Sequence, residues 1–298
     1  QALTKFMNGQ NIFAEEKSWD ILGNISKYEV IIVNTNKGTK EQIKQLIHES
    51  DEHQVSLVFT STWGLKEGSI QLLKEAEGSP DLDNHGYDEG AVFVSATNEH
   101  PLFEGIEVDD NNQIMIHSEK SPYATFKHFN GIPLADLSVD GIDKGNSIAY
   151  EFRSKNHVHL LLSSFAVTNI IGPEYGWTKE GKQLFTNAMR WSMDVEQQMP
   201  QAPVWDHEEQ LIKERPVIVS GTAELGTTIN IYDRRGKKRT LLGSVKTQLD
   251  GTFSMELDIK NGTHFLLAEA ENFAGKTESL TEMQLIVTGK PIKQDKAS

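Results

Sequence analysis

The clearest candidate for a nucleophile is a hydroxyl group at a turn between an apolar run and a helical pattern. Residues 60–64 read Thr-Ser-Thr-Trp-Gly. A serine on such a turn attacks an acyl carbon when a histidine removes its proton, so Ser61 is a candidate nucleophile for a hydrolase. Sequence spacing favours no single base among the candidates His85, His100 and His117. For His100, which precedes a proline, we favour hydrogen bonds that hold a loop over a catalytic role.

Two other patterns suggest metal ligands. His157 and His159 alternate along a predicted strand, which places both imidazoles on one face, and imidazole nitrogen is a zinc ligand. No third ligand can be named, and we favour a surface or sheet-covering role for this pair. The acidic and amide side chains at 109–112 offer oxygen ligands for calcium, but they lack the spacing of an EF-hand loop and are typical of a turn. We therefore expect no metal ion and no cofactor.

Composition excludes several kinds of chemistry. The 298 residues include no cysteine, which removes disulfides, thiolate nucleophiles and cysteine-ligated zinc or iron–sulfur sites. The formal net charge is −14; residues 203–298 contain 14 acidic and 13 basic residues, so residues 1–202 carry −13. This acidity argues against nucleic-acid binding, and we assign the basic run at 234–239 to a solvated hairpin tip. No apolar run is long enough to span a membrane as a helix.

Two kinds of element pattern divide the chain. The first part spans residues 1–199. Over residues 28–77, apolar runs alternate with helical patterns, an order that predicts a parallel sheet with helices on both faces. Residues 90–165 instead hold several short strands linked by turn-forming pieces such as Asp140-Gly141, and a final helix follows. The prolines in the segment 200–215 indicate a linker. Residues 216–290 consist of short strands separated by turn dipeptides, the pattern of a β-sandwich, and 291–298 form a tail. In the first part we predict strands at 28–34, 55–60, 91–95, 113–118, 124–129, 147–153 and 157–163, and helices at 40–50, 65–77 and 178–194.

The ends of the predicted parallel strands define the expected ligand site, because open α/β sheets bind ligands at the carboxyl ends of their strands. This edge would collect polar and aromatic side chains that suit a sugar or a peptide, namely Asn34, Ser61, Thr62, Trp63, Glu174, Tyr175 and Trp177. For Trp63 and Trp177 we favour the alternative that the two indoles cover the core.

Two stretches of the first part resemble the trehalose-utilisation-protein-like branch of the class I glutamine amidotransferase-like superfamily. They read Ala-Thr-Asn-Glu-His-Pro-Leu-Phe-Glu-Gly-Ile at 96–106 and Gly-Trp-Thr-Lys-Glu-Gly-Lys-Gln-Leu-Phe-Thr-Asn-Ala-Met-Arg-Trp at 176–191. The resemblance implies a flavodoxin-like α/β domain whose first strand lies just before Gln1. It places the family's thiol nucleophile at Thr62 and the family's His-Pro-Glu segment at Gly-Pro-Glu, where Glu174 keeps the carboxylate and glycine replaces the base. Without thiol or base, we do not expect glutamine hydrolysis.

Residues 216–290 resemble bacterial Ig-like domains. The segment Ser-Gly-Thr-Ala-Glu-Leu-Gly at 220–226 is followed, in the order of that family, by Asp-Gly-Thr-Phe-Ser, Asn-Gly-Thr and Ala-Glu-Asn-Phe-Ala-Gly-Lys-Thr. The resemblance implies an all-β Ig-like sandwich that acts as a spacer or adhesion module without catalysis.

The order of the two domains is similar to the C-terminal region of secreted subtilisin-family serine peptidases of Gram-positive bacteria. This similarity implies a non-catalytic accessory region of an extracellular or cell-wall-associated protein, with the peptidase domain upstream in the same chain. The implied partner is the cell wall or another polymeric substrate. Two alternatives stay open: a hydrolase or sugar-processing enzyme that uses Ser61 or Thr62, and an adhesion module that acts through the Ig-like half.

Overall fold

The computed structural model describes residues 2–35, 37–60, 68–165 and 176–290. Over these residues the chain is mostly β-sheet with four α-helices. It forms two compact units, Gln1–Glu196 and Gln197–Ser298, each with a hydrophobic core of its own. None of the helices in the described ranges has the length and apolar character needed to cross a membrane.

The first unit contains all of these helices and the first nine strands. The helices are α1 (Ala2–Gly9), α2 (Lys40–His53), α3 (Ser69–Glu77) and α4 (Lys179–Met193). The strands are β1 (Val30–Val33), β2 (Ser56–Phe59), β3 (Asp81–Gly86), β4 (Val92–Ala96), β5 (Ile114–His117), β6 (Tyr123–Lys127), β7 (Ile132–Val139), β8 (Ile142–Phe152) and β9 (Val158–Leu162). Single 3-10 turns occur at Trp19–Ile21, Ile25–Lys27 and Pro101–Phe103.

These nine strands form one mixed sheet, whereas the element order of residues 28–77 by itself predicts a parallel one. The main path is β1-β2-β9-β8-β7-β4-β5, and β6 pairs with both β3 and β8. Strands β1, β2 and β9 run parallel, and the path from β9 to β5 is antiparallel. The connections explain the difference. Helix α2 provides a crossover between β1 and β2, but only Asp140 and Gly141, both with positive φ, separate β7 from β8, and a two-residue turn joins antiparallel strands.

Helices cover both faces of this sheet. Val58 of β2 belongs to a core that includes Met7 of α1 and Phe185 of α4. Its neighbours Leu57 and Phe59 belong to a second core, to which α2 and α3 contribute. Because successive side chains of a strand point to opposite faces, the two cores lie on opposite sides of the sheet.

Helices α2 and α4 begin at side-chain caps. Thr39 and Gln42 form a capping box, in which each side chain accepts a hydrogen bond from the other residue's backbone N–H, over 3.1 and 2.9 Å. The Thr178 hydroxyl oxygen accepts from the Gly181 N–H over 2.9 Å, and the same hydroxyl donates to the Met115 carbonyl oxygen over 2.5 Å. This second bond attaches the start of α4 to β5.

The second unit is a sandwich of two sheets. Its strands are β10 (Val204–Trp205), β11 (Glu209–Glu214), β12 (Val217–Thr222), β13 (Thr228–Arg235), β14 (Lys238–Lys246), β15 (Thr252–Leu257), β16 (Gly262–Asn272), β17 (Gly275–Glu278) and β18 (Met283–Lys290). One sheet has the order β10-β12-β15, and the other has the order β11-β18-β16-β13-β14 with β17 on β16. Val219 and Phe253 of the first sheet and Ile231 and Leu285 of the second share one core.

The segment 200–215, expected to be a linker, contributes two strands to this sandwich. In β10, Trp205 is buried and packs edge-to-face on Phe253, with ring centroids 5.7 Å apart. Strand β11 pairs in parallel with β18, the last strand of the chain. A two-residue strand and a charged edge strand carry little apolar periodicity, so distant pairing partners define them.

The basic run at 234–239 lies at the tip of the β13–β14 hairpin, where all six residues are exposed. Gly236 occupies the turn with a φ of +60°, a backbone conformation that favours glycine. Arg234 pairs with Glu282, and Arg239 pairs with Glu278 at the surface. The run is therefore a solvated hairpin tip with local acidic partners.

Candidate functional site

At the carboxyl edge of the parallel strands, the structure describes the residues that directly follow β1 and β2. Asn34 follows β1 and is exposed, and Thr60 follows β2 and is buried. The Thr60 hydroxyl donates to the Asn34 side-chain oxygen over 3.3 Å, so parallel pairing places the two residues side by side. The other residues expected at this edge lie outside the described ranges, namely Ser61, Thr62, Trp63, Glu174 and Tyr175.

Trp177, expected among the ligand-binding residues, lies in the core of the first unit. Only 4% of its surface is exposed. Its indole packs against the rings of Phe6, Phe165 and Phe185 at centroid distances of 6.3, 5.2 and 4.8 Å. The aromatic contacts of α1 and α4 enclose the ring, so it covers the core and presents no surface to a ligand.

His100 holds a turn. Its Nδ1 accepts a hydrogen bond from the Leu102 backbone N–H over 3.2 Å, which caps the 3-10 turn that Pro101 begins. The imidazole packs against Tyr150 and Trp191, at centroid distances of 5.1 and 4.4 Å. Burial lowers the pKa of His100 from 6.5 to about 4. The imidazole is therefore neutral at neutral pH, with Nδ1 occupied by the backbone.

The other two candidate bases differ in environment. His117 is buried at the end of β5, and its Nε2 is 2.8 Å from the Ser164 carbonyl oxygen. A carbonyl only accepts, so Nε2 carries the proton in this contact. His85 lies exposed on β3. His117 thus helps to hold β5 against the loop after β9, whereas His85 is available to solvent.

A polar cluster lies where the β8–β9 hairpin meets the C-terminal ends of α2 and α3. Glu151 and Arg153 alternate on one strand, and His157 and His159 alternate on the other, so that all four side chains lie on one face of the sheet. Glu151 lies directly opposite His159 in the antiparallel register. Two helical carboxylates complete what we call the hairpin cluster, which consists of Asp51, Glu77, Glu151, Arg153, His157 and His159.

Arg153 and Asp51 form the centre of the hairpin cluster. The guanidinium binds the Asp51 carboxylate through two bonds, Nε–Oδ1 at 3.2 Å and Nη2–Oδ2 at 2.7 Å, and Nη2 also lies 2.9 Å from Glu77. Burial raises the pKa of Asp51, but hydrogen bonds from His157 and Arg153 outweigh burial and hold the pKa well below its usual range. This paired charge joins the hairpin to α2.

Ser154, His157 and Asp51 form a hydrogen-bonded series. The Ser154 Oγ is 2.5 Å from His157 Nδ1, and His157 Nε2 is 2.9 Å from Asp51 Oδ1. The residue types are those of a nucleophilic triad. However, the Ser154 Oγ also accepts the Asn156 N–H within the same turn, and His157 is only 1% exposed. These contacts hold the hairpin turn on α2.

His159 has the unusual environment in the hairpin cluster. It is completely buried, and neither of its ring nitrogens has a hydrogen-bond partner among the described residues. Burial, followed by the charge of Arg153, lowers its pKa to about 3. One of its ring nitrogens and one oxygen each from Glu77 and Glu151 lie within 4.8 Å of one another. These three residues could hold a metal ion; the alternation of His157 with His159 indicates this region, but the sequence does not indicate the two glutamates.

A cleft with a volume of about 890 Å³ runs alongside strand β1. Its walls include residues of α1, residues 12–19 and β1 itself. Strand β1 pairs within the described residues with β2 only. The Ser56 N–H donates to the Glu29 carbonyl and the Thr60 N–H to the Val33 carbonyl, so the backbone groups of the alternate residues Val30 and Ile32 point away from β2.

Comparison with known proteins assigns no family, since neither a family model nor a curated protein matches the chain. Similar solved structures include a carbohydrate acetylesterase from Xanthomonas citri, at 17% identity and a TM-score of 0.21, over 30% of this chain and 19% of that one. A titin M10–obscurin-like 1 Ig complex is 12% identical, with a TM-score of 0.20, over 31% and 98%. The BSP domain of a biofilm-associated protein is 9% identical, with a TM-score of 0.24, over 72% and 30%. The chain thus spans less than a third of the esterase and of the biofilm-associated chain, and likeness of this extent defines no activity.

Proposed function

We propose that the chain is a non-catalytic binding region of a secreted multidomain bacterial protein, an extracellular subtilisin-family serine peptidase. In this proposal the first unit is a flavodoxin-like, amidotransferase-like domain that binds an extended segment of polypeptide substrate. The second unit is an Ig-like spacer. The observation that carries the binding role is the cleft along the edge of β1 that pairs with no described strand, which we call the free edge. The sequence resemblances described above support the family and the location.

The free edge of β1 suits an extended polypeptide. Edge strands present unpaired backbone groups, and an added strand satisfies them while its side chains enter neighbouring pockets. Val30 and Ile32 supply outward backbone groups at the wall of the cleft. The cleft volume of about 890 Å³ is within the ordinary range for ligand pockets. Because the first unit carries a net charge of −13, the favoured polypeptide is basic.

The roles of the histidines support binding without catalysis. His100 uses Nδ1 to cap a turn, and His117 uses Nε2 to bind a backbone carbonyl. His157 is held between Ser154 and Asp51 in the hairpin cluster. A general base needs a nitrogen lone pair within reach of its nucleophile. At His100 the Nδ1 lone pair accepts the Leu102 N–H, and His157 has Ser154 and Asp51 at its two nitrogens.

The architecture of the second unit supports a spacer. Its two sheets share one apolar core, and tight turns at Gly236 and Gly251 connect successive strands. Such a sandwich folds around its own core and separates the segments on either side of it.

Binding can be tested with a fluorescein-labelled peptide of alternating valine and lysine, read by fluorescence anisotropy. We expect Val30→Pro to weaken binding about fivefold, because proline removes one outward N–H and one hydrogen bond contributes about 1 kcal/mol. Val30→Ala is the matched control, since it removes the same side chain but keeps the N–H. A peptide methylated on alternate backbone nitrogens should not bind.

Three results would overturn the proposal. The strand-addition role fails if the peptide does not bind, or if Val30→Pro and Val30→Ala weaken binding equally. The non-catalytic role fails if the chain hydrolyses p-nitrophenyl acetate in a way that Ser61→Ala abolishes, which would instead establish the hydrolase alternative.

A further inference from the structure

We propose that Glu77, Glu151 and His159 form a binding site for a divalent transition-metal ion of the zinc class. The proposal concerns the hairpin cluster and is independent of peptide binding at β1. Its basis is the convergence of two carboxylates on a buried imidazole whose nitrogens have no hydrogen-bond partner in the described part of the chain.

The fold brings the three ligands together from separate elements. Glu151 on β8 and His159 on β9 are direct cross-strand partners, so their side chains leave the same face of the sheet. Glu77 is the last residue of α3, which packs on that face. The three ligand atoms lie within 4.8 Å of one another. Zinc ligand atoms that lie about 2.1 Å from the ion are about 3.4 Å from one another. Side-chain rotations that move each ligand atom by about 1 Å would therefore complete the site.

The unpartnered imidazole is the observation that points to a ligand. A neutral imidazole has one N–H donor and one lone pair, and burying either without a partner costs free energy. Within the described ranges, both ring nitrogens of His159 are buried without a hydrogen-bond partner, and one of them lies within 4.8 Å of an oxygen of each glutamate. A metal ion bound to that lone pair removes part of this cost.

The charges of the hairpin cluster favour a cation. The three carboxylates of Asp51, Glu77 and Glu151 face the single guanidinium of Arg153. Arg153 can keep its two bonds to Asp51 while one oxygen of each glutamate turns to the ion. One nitrogen and two oxygen ligands suit zinc, manganese or cobalt better than magnesium or calcium. Glu77 is exposed, which leaves a route for the ion and a position for water.

Zinc titration of the chelator-treated chain by calorimetry tests the site. We expect one zinc ion to bind per chain with a micromolar Kd, and Glu77→Gln to weaken that binding about tenfold or more. Glu75→Gln is the matched control, because this exposed glutamate lies on the same helix, two residues away. Glu75→Gln should leave the Kd unchanged. Magnesium at the same concentrations should produce no heat of binding.

A second measurement separates this site from zinc bound by surface histidines. In a chain with ¹⁵N-labelled histidine, zinc should shift the ring-nitrogen resonances of His159, which are assigned by their absence in His159→Gln. The proposal is overturned if the chain binds no zinc, if Glu77→Gln and Glu75→Gln bind it equally, or if the His159 resonances do not move while zinc binds.

Discussion

Replacement of His100 by asparagine should remove part of the acid sensitivity of the chain. His100 is held neutral in the folded state because its half-buried imidazole packs against Tyr150 and Trp191, and its Nδ1 accepts the Leu102 N–H. Protonation of Nδ1 would end that hydrogen bond. Asparagine offers a side-chain oxygen as acceptor for the same N–H but does not titrate.

The pKa difference sets the magnitude. The pKa of His100 falls from 6.5 in the unfolded chain to about 4 in the folded one. Between these values the unfolded state binds more protons, so the stability of the folded state decreases as the pH falls. Well above pH 6.5, His100 does not affect the free energy of unfolding. Near pH 5, its effect lowers the free energy of unfolding by about 2 kcal/mol.

Urea unfolding followed by tryptophan fluorescence measures this loss. The free energy of unfolding is determined at about pH 7.5 and about pH 5 for the natural chain and for His100→Asn. The natural chain should lose about 2 kcal/mol more than the variant between the two pH values. His85→Asn, which removes an exposed histidine, should follow the natural chain. His100→Ala should also lose about 1 kcal/mol at the higher pH, because it lacks the capping acceptor.

Equal losses in the natural chain and His100→Asn would refute the reasoning, since they would show that His100 takes up its proton in the folded state. If His85→Asn, rather than His100→Asn, reduces the loss in the free energy of unfolding, then His85 and not His100 is the responsible group.

Two further substitutions test packing and charge. Gly221→Ala should destabilise the second unit by about 2 kcal/mol or more in urea unfolding, because the new Cβ would stand 2.2 Å from a carbonyl oxygen of β10; a change within error would contradict this packing. Arg153→Met should cost about 2 kcal/mol, because it leaves Asp51 and Glu77 without their guanidinium. Lys155→Met is its control, since that exposed ion pair contributes at most about 1 kcal/mol, and equal effects of the two methionine variants would contradict the role of Arg153.

Local patterns in the sequence predict many of the elements. Alternation and turn dipeptides predict the strands of residues 216–290, and glycine with positive φ occurs at the predicted turn after Asp250. The Thr178 cap begins α4, as its residue type indicates. These features depend on neighbours within a few residues, so a sequence read alone is enough to predict them.

The turn dipeptides of residues 90–165 indicate hairpins there, but no local pattern shows that these strands join β1, β2 and β9 in one mixed sheet. A buried strand has the same apolar run in a parallel and in an antiparallel sheet, and only the connection distinguishes the two directions. The same limit applies to β10 and β11, because the prolines of the segment 200–215 predict a linker there rather than strands. Their place in the sandwich depends on pairing with β12 and β18, far along the chain.

The sequence by itself determined the absence of cysteine chemistry, the division of charge between the two parts of the chain, and the alternation that places His157 and His159 on one face. Only the tertiary structure decided what that face meets. Asp51 contacts Arg153 across 102 residues of chain, and Glu77 reaches it from the end of another helix. Periodicity states which side chains share a face, but packing decides which distant charges cover it. For that reason the buried imidazole of His159 and its two carboxylates become visible only in the folded chain.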